Sequence, residues 1–492
     1  MSAGEPTQQI APQGQPSIEV GARRASVDIG VQVIGRIGNL ALGVVVTLVV
    51  VRALGSSGFG EWSTIFAITQ IATNFGELGL TQVAVSRAAS EPARQGDWLG
   101  ALMSLRTLLA VPTTALALVG VLLIAPTQSS RIAGVLIAAT ILVNAPAAVG
   151  AVFQLRVRND IAIAIMTLGS VLWTAGAIAI SLSSKDIGAF AAVFLAVAAI
   201  TTCVTLVRAR RLVALRLAGS SELWRALLRV GLGVGAAGVL VTLYVKLDQV
   251  LVFELAGSTQ AGLYGAAYRI LDTIQFIPIS VMTTLFPLIA TAYPSDRERV
   301  RKLLQSAGEY LTMASLPALA FTVVAAEPIV TLLFGEQFKQ AAPALPILMG
   351  AFISISFGYL AGNMVVILEL QRRFFYYAAV GLLVNASLNL ALIPRYGFLA
   401  AAWITLLTEV LVMSLTMRSV LGELAMTPRL SRLARTLVAA LGMGLLTWLV
   451  KSLGAPLLGL VAIAALAYPA LLFGLGALTS AEVRAVLRKE PL

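Results

Sequence analysis

No histidine occurs among the 492 residues, and there is a single cysteine, Cys203. The first absence removes the usual zinc ligand and the usual neutral-pH proton carrier. The second excludes an intrachain disulfide and leaves the redox compartment open. Charge is scarce too: 12% of the residues are Asp, Glu, Lys or Arg, about half the ~25% of a soluble domain. Long polar loops are missing, so no connection has room for a soluble domain. What is abundant is apolar: 58% of the residues are hydrophobic, and the mean hydropathy is +0.91. This is the composition of a polytopic membrane protein. The pI of about 10.2 would suggest nucleic acid in a soluble chain. Here the basic residues sit in short loops between apolar runs, which points to membrane orientation and to no nucleic-acid partner.

Residues 1–26 are rich in Pro, Gln, Gly and Ser and read as a disordered tail. A signal peptide would carry its charges ahead of an apolar core and a small-residue cleavage site. Here a polar tail precedes the first apolar run, so no cleavage is expected. A helix needs about 20 mostly apolar residues to span a bilayer. Fourteen segments qualify: 30–52, 62–84, 99–125, 131–155, 160–182, 187–207, 228–255, 262–292, 307–334, 342–369, 374–393, 398–418, 433–451 and 455–478. With the N-terminus inside, the inner side receives the Arg208–Arg229 loop, the RERVRK stretch at 297–302, Arg418–Arg435 and the tail Arg484–Lys489. The outer turns receive at most one Lys or Arg each. That asymmetry places both termini in the cytoplasm and makes the number of spans even.

The turn GSSGFGEWSTIF (55–66) aligns without a gap on GSTQAGLYGAAY (257–268), with Gly60 on Gly262 and Trp62 on Tyr264. GAFAAVF (188–194) likewise matches GFLAAAW (397–403). Six spans separate the copies, and an even number preserves direction, so the repeats are parallel. The expected organisation is a first six-helix lobe over 27–210, a basic linker over 211–227 and a second six-helix lobe over 228–420. A helix pair over 421–478 and a basic tail over 479–492 follow. Sites in such proteins lie between the lobes, which rock against each other.

Six stretches carry a family resemblance: LGSSGFGEWSTIFAI with FGELGLTQVAVSRAA (54–68, 75–89), KLDQVLVFELAGSTQAGLYGAAYRI (246–270), LFPLIA (285–290), EPIVTLLFGEQF (327–338) and NASLNLALIPRYGFLAAAWITLLTE (385–409). In this order they resemble the Wzx-type flippases, the polysaccharide transporters of the MATE-like (MOP) superfamily. The resemblance covers about residues 27–420. It implies a MATE-like fold in a bacterial cytoplasmic membrane. It also implies no enzymatic activity, and transfer of an undecaprenyl-diphosphate-linked oligosaccharide from the inner to the outer leaflet by alternating access. The partners implied are that lipid-linked substrate, membrane lipids and the polymerase machinery that uses the exported unit.

Ionisable groups inside spans are costly and mark functional candidates. Lys246 and Asp248 point to different faces and cannot neutralise each other well. Counted from the turn at 257–262, Lys246 matches Asp272 in depth, and Asp248 matches Arg269, to within about 3 Å. The expectation is a four-charge network, Lys246–Asp272 and Asp248–Arg269. It is either a clamp between two helices, or a coupling site or part of the substrate path. In the first lobe, Arg36, Arg106 and Glu77 form a second cluster, and Gln70, Asn74, Glu77 and Thr81 form one polar stripe. The stripe is a cavity wall or a helix-to-helix glue. Arg36 and Arg106 against Glu77 leave one surplus positive charge, which suits a diphosphate because arginine forks match phosphate oxygens. Without histidine, proton coupling would have to run through a carboxylate. Glu77, Asp248, Asp272 and Glu409 are the candidates, with Glu409 lacking an obvious partner. Sodium held by carboxylate and carbonyl oxygens is equally open; no other cofactor is expected. Two rival functions remain: a multidrug extruder of the same superfamily, which would favour an acidic aromatic cavity, and a membrane glycosyltransferase or polymerase, which would need larger outer loops.

Overall fold

A computed structural model describes residues 18–156, 158–214, 221–293 and 295–479, with side chains at 35 and from 38 onward, Val234 excepted. The expected tail 1–26 and C-terminal tail 479–492 thus lie mostly outside the described residues. Residues 18–26 already belong to a helix, beyond the last proline of the tail. The chain is helical, with no strand among the described residues.

The helices, in order, are α1 (Ile18–Glu77), α2 (Leu80–Ser90), α3 (Gln95–Ile124), α4 (Gln128–Asn144), α5 (Ala151–Leu155), α6 (Asn159–Ser183) and α7 (Ile187–Arg210). They continue as α8 (Ser221–Ala256), α9 (Ser258–Ile274), α10 (Phe276–Ala292), α11 (Arg297–Phe334) and α12 (Ala344–Ile367). The last three are α13 (Gln371–Glu423), α14 (Ser431–Ser452) and α15 (Leu457–Gly474). Among the described residues, 12 helical stretches are long and apolar enough to cross a membrane.

Two of these stretches, Gly38–Ser90 and Gln371–Glu423, run to 53 residues. Straight, each would reach about 80 Å, far beyond the ~30 Å of a bilayer core. Both double back at a glycine. Gly55 (φ 69°) and Gly397 (φ 60°) adopt backbone angles that side chains disfavour. Neighbouring contacts prove the reversal. The Thr174 hydroxyl lies 3.5 Å from the Leu42 carbonyl, while Trp173 stacks on Trp62 at 6.0 Å. In a straight helix Leu42 and Trp62 would be about 30 Å apart. Asn389 and Thr405 likewise both bond the same carboxylate, that of Asp248, from either side of Gly397. Each long stretch is therefore two passes, and the chain crosses about fourteen times.

The turn repeat has a physical counterpart. Gly60 and Gly262 cross so closely that a methyl on the first would strike the Ser258 carbonyl, and on the second the Ser56 carbonyl. Positions 56 and 258 are equivalent in the repeat, as are 60 and 262, so the contact is reciprocal, as a two-fold relation requires. The hydroxyls of Ser57 and Ser258 meet at 2.8 Å beside it. The second pair is built differently: Asp186 caps the N-terminus of α7 at 3.0 Å, whereas α13 bends through Gly397.

The largest core runs from Val50 and Trp62 through Tyr264 and Leu271 to Phe352, so it joins both lobes near these turns. Leu123, Leu182 and Leu458 stand more than four-fifths exposed on the periphery, the surface a bilayer would cover. The final pair docks on α11: Arg432 pairs with Glu309 at 2.9 Å, and the Tyr468 hydroxyl donates to the Met313 carbonyl at 2.7 Å.

Candidate functional site: a divided cavity between the lobes

Two adjoining chambers open here, one of about 390 Å³ between the lobes and one of about 480 Å³ within the second lobe, which Gln70 alone joins from the first. Both fall within the ~300–1,000 Å³ typical of small-molecule sites. Gln70, Val245, Lys246, Tyr268 and Asp272 line both, so these five residues form the partition. The first chamber is walled by α1, α4, α7, α8 and α9, the second mainly by α8, α9, α12 and α13.

Of the two ion pairs expected from depth, one forms. Lys246 Nζ lies 3.9 Å from Asp272 Oδ2, and 5.3 Å from the Tyr268 ring centre. At that distance the contact is Coulombic rather than a direct hydrogen bond, which leaves ammonium donors free for a ligand. Gln275 donates to Asp272 at 3.4 Å and accepts from the Tyr359 hydroxyl at 3.1 Å.

The other pair does not form. Asp248 is 1% exposed and faces away from Arg269. It accepts hydrogen bonds from Thr405 (2.6 Å), Asn389 (2.8 Å) and Tyr264 (3.2 Å). Depth was matched but azimuth was not: two helical residues turn the side chain by about 200°, so Lys246 meets the cavity and Asp248 meets α13. Arg269 is exposed, lines the first chamber and has no ion-pair partner among the described residues. On α13, the buried Asn389 Oδ1 and Thr408 Oγ1 have no hydrogen-bond partner among the described residues. Sequence reasoning missed Asn385, Asn389, Thr405 and Tyr264. The available signal was NASLN, two asparagines at i and i+4 inside an apolar pass. Glu409, 8% exposed, lines the second chamber together with Tyr244.

The first-lobe cluster is also rearranged. Arg106 pairs with Glu77 and reaches the Thr81 hydroxyl at 3.4 Å. Its charge is thereby neutralised, so the surplus expected of the cluster would rest on Arg36 alone. The polar stripe is broken: α1 ends at Glu77, Leu78 (φ 41°) and Gly79 (φ 71°) turn the chain, and Thr81 belongs to α2. Asn74 returns its amide to the Gln70 carbonyl at 3.0 Å, and neither Asn74, Glu77 nor Arg106 lines a chamber. Arg36 lies on α1, and its side chain is outside the described residues.

A bundle of about fourteen apolar helices, with a polar cavity between two lobes related by a repeat, has the architecture of a membrane transporter fold. It is similar to the lipid II flippase MurJ in an inward closed conformation, with a TM-score of 0.69 and 13% identity over 89% of this chain and 97% of that one. It is also similar to an inward-facing multidrug resistance MATE family transporter of the MOP superfamily, with a TM-score of 0.65 and 14% identity over 78% of this chain and 94% of that one. The chain belongs to the polysaccharide biosynthesis protein family, whose model matches residues 49–343. A probable flippase, AglR of Haloferax volcanii, is 24% identical over 201 residues, 40% of this chain and 42% of that protein. The matched stretch thus spans less than half of that curated relative. The expected MATE-like fold and the family resemblance are both found, and the protein is a multi-pass membrane protein.

Proposed function

We propose that the protein is a flippase that moves an undecaprenyl-diphosphate-linked oligosaccharide from the inner to the outer leaflet of a bacterial cytoplasmic membrane. Both termini would face the cytoplasm, and the product would pass to polymerase machinery. The observation that carries this reading is the pair of cations in one cavity wall: Lys246, held only loosely by Asp272, and the unpaired Arg269. Two such groups suit a diphosphate, which prefers cations with free donors. The diphosphate is accordingly assigned to the wall made by α8 and α9 rather than to Arg106, which Glu77 already pairs. Alternating access would open and close the reciprocal Gly60–Gly262 crossing.

Coupling to H⁺ or Na⁺ fits the buried cluster on α8 and α13. Its donors are all oxygen or amide groups, the chemistry of a hard cation. The unpartnered Asn389 Oδ1 belongs to a side chain that bonds the Asp248 carboxylate and supplies an unmet acceptor. A proton would instead use Asp248 or Glu409. The second chamber, with Glu409, Asp272 and Tyr359, also gives the multidrug reading a foothold. One experiment separates the two. Depletion of the protein should cause lipid-linked oligosaccharide to accumulate on the cytoplasmic leaflet. A change in drug sensitivity without that accumulation would overturn the flippase reading.

A further inference from the structure

The first chamber is chemically two-sided. All three of its charged lining residues, Lys246, Arg269 and Asp272, come from α8 and α9. The wall contributed by α1, α4 and α7 carries aromatic rings, hydroxyls and amides with no charge.

On α1, Phe66, Gln70 and Thr73 follow at i, i+4 and i+7 and share one face. On α4, Thr140 and Asn144 stand one turn apart. The roles of these groups are set by their own bonds. Thr73 donates to the Thr69 carbonyl at 2.7 Å, and Thr140 to the Ile137 carbonyl at 2.6 Å. Each hydroxyl therefore has only acceptor capacity left. Asn144 accepts from Thr202 at 3.2 Å through Oδ1, which leaves its amide hydrogens for the chamber. The exposed Gln70 amide has no hydrogen-bond partner among the described residues and offers both. Phe66 is half-buried and braced by Trp62 at 4.7 Å and Phe194 at 5.0 Å.

Fixed acceptors, free amide donors and a braced ring without charge match a neutral sugar. Its hydroxyls both donate and accept, and its C–H face packs on an aromatic ring. A lipid tail would leave the amides unsatisfied, at a cost of about 1–3 kcal/mol each. An anion finds no cation on this wall, and a cation finds no carboxylate. We infer that the first-lobe wall of this chamber, Phe66, Gln70, Thr73, Thr140 and Asn144, is a binding site for the neutral sugar ring adjoining the diphosphate. The inference rests on the flippase reading, because the phosphate-binding wall made by Lys246 and Arg269 sets where that ring falls. At about 390 Å³, the chamber accepts the sugar next to the diphosphate rather than a long glycan.

The test uses the full-length protein in nanodiscs and two probes: undecaprenyl diphosphate, and the same lipid carrying one neutral hexose. Two or three neutral hydrogen bonds of about 1 kcal/mol and a ring contact predict that the hexose raises affinity about tenfold or more. Phe66→Leu and Gln70→Ala should remove that gain and leave the bare lipid's affinity unchanged. Lys246→Met should weaken both lipids. Unchanged melting temperature shows that each variant is folded, and Asn144→Ala replaces any that is not. If the bare lipid binds and the hexose adds nothing, or if Phe66→Leu weakens both lipids equally, the sugar site is overturned while the diphosphate reading stands. If neither lipid binds the wild type, both fall.

Discussion

Asp248 accepts three hydrogen bonds at a point where almost no solvent reaches it. Replacing it with leucine would leave these donors only their second acceptors, the Ala401 and Asn385 carbonyls and the Thr405 hydroxyl, beside an apolar side chain, at about 1–3 kcal/mol in all. Asp248→Leu is therefore expected to lower the melting temperature by several degrees or to prevent folding. Asp248→Asn should fold well and lose ion-dependent transport; a melting curve and a flux assay on the same preparation check both halves. Lys246 and Asp272 make a different case. Their side chains are 20% and 31% exposed and 3.9 Å apart, so water screens the pair. A double-mutant cycle with Lys246→Met and Asp272→Asn should give a coupling of about 1 kcal/mol or less in stability. The effect on transport should be far larger for Lys246→Met. The depth of these residues was legible in the sequence, because helix rise converts residue number into height. Their azimuth was legible only in part: the step from 246 to 248 showed that the two faces differ, but not which neighbour each face meets.

At the scale of elements, the decisive contact is the crossing of α1 and α9. Ser57 and Ser258 already touch there. In a Cys203→Ser background, Ser57→Cys with Ser258→Cys should crosslink under mild oxidation. The crosslinked protein should stop transporting and recover on reduction. Normal flux through the crosslinked form would show that this crossing does not open. Gly60→Ala should lower both stability and crosslinking yield, because the added methyl meets backbone rather than a movable side chain. At the far edge, Glu309 is one-tenth exposed beside Arg432 and Gln305. Glu309→Leu would remove the carboxylate that bridges α11 to Arg432 of α14 and should loosen α14 and α15, detectable as faster proteolysis of the loop at 424–430. The passes themselves were readable from apolar run length. The break at Leu78–Gly79 was not, because the polar stripe continues in sequence across it while the backbone turns.

Over the whole molecule, the two lobes share a frame and differ in charge. The first lobe offers the cavity a neutral wall, and the second a charged wall backed by the buried Asp248 cluster. If that cluster carries the coupling ion, flux in proteoliposomes should follow an imposed Na⁺ or H⁺ gradient and fall to the uncoupled level in Asp248→Asn. A flux indifferent to both gradients would remove the coupling role and leave the cluster structural.

The sequence alone determined the polytopic helical class, the approximate passes, the repeat and the family resemblance. The first three follow from one-dimensional quantities, hydropathy summed over a window, residue spacing and local turn chemistry, while the resemblance rests on the motifs standing in order along the chain. The tertiary structure decided which charges are free. It paired Arg106 with Glu77, left Arg269 open and enclosed Asp248 among Asn389, Thr405 and Tyr264. The physical reason is that a charge inside a membrane protein is tuned by neighbours up to 157 residues away in the chain, as with Asp248 and Thr405. Those neighbours are selected by how helices rotate against one another, and no count along a single helix contains that rotation.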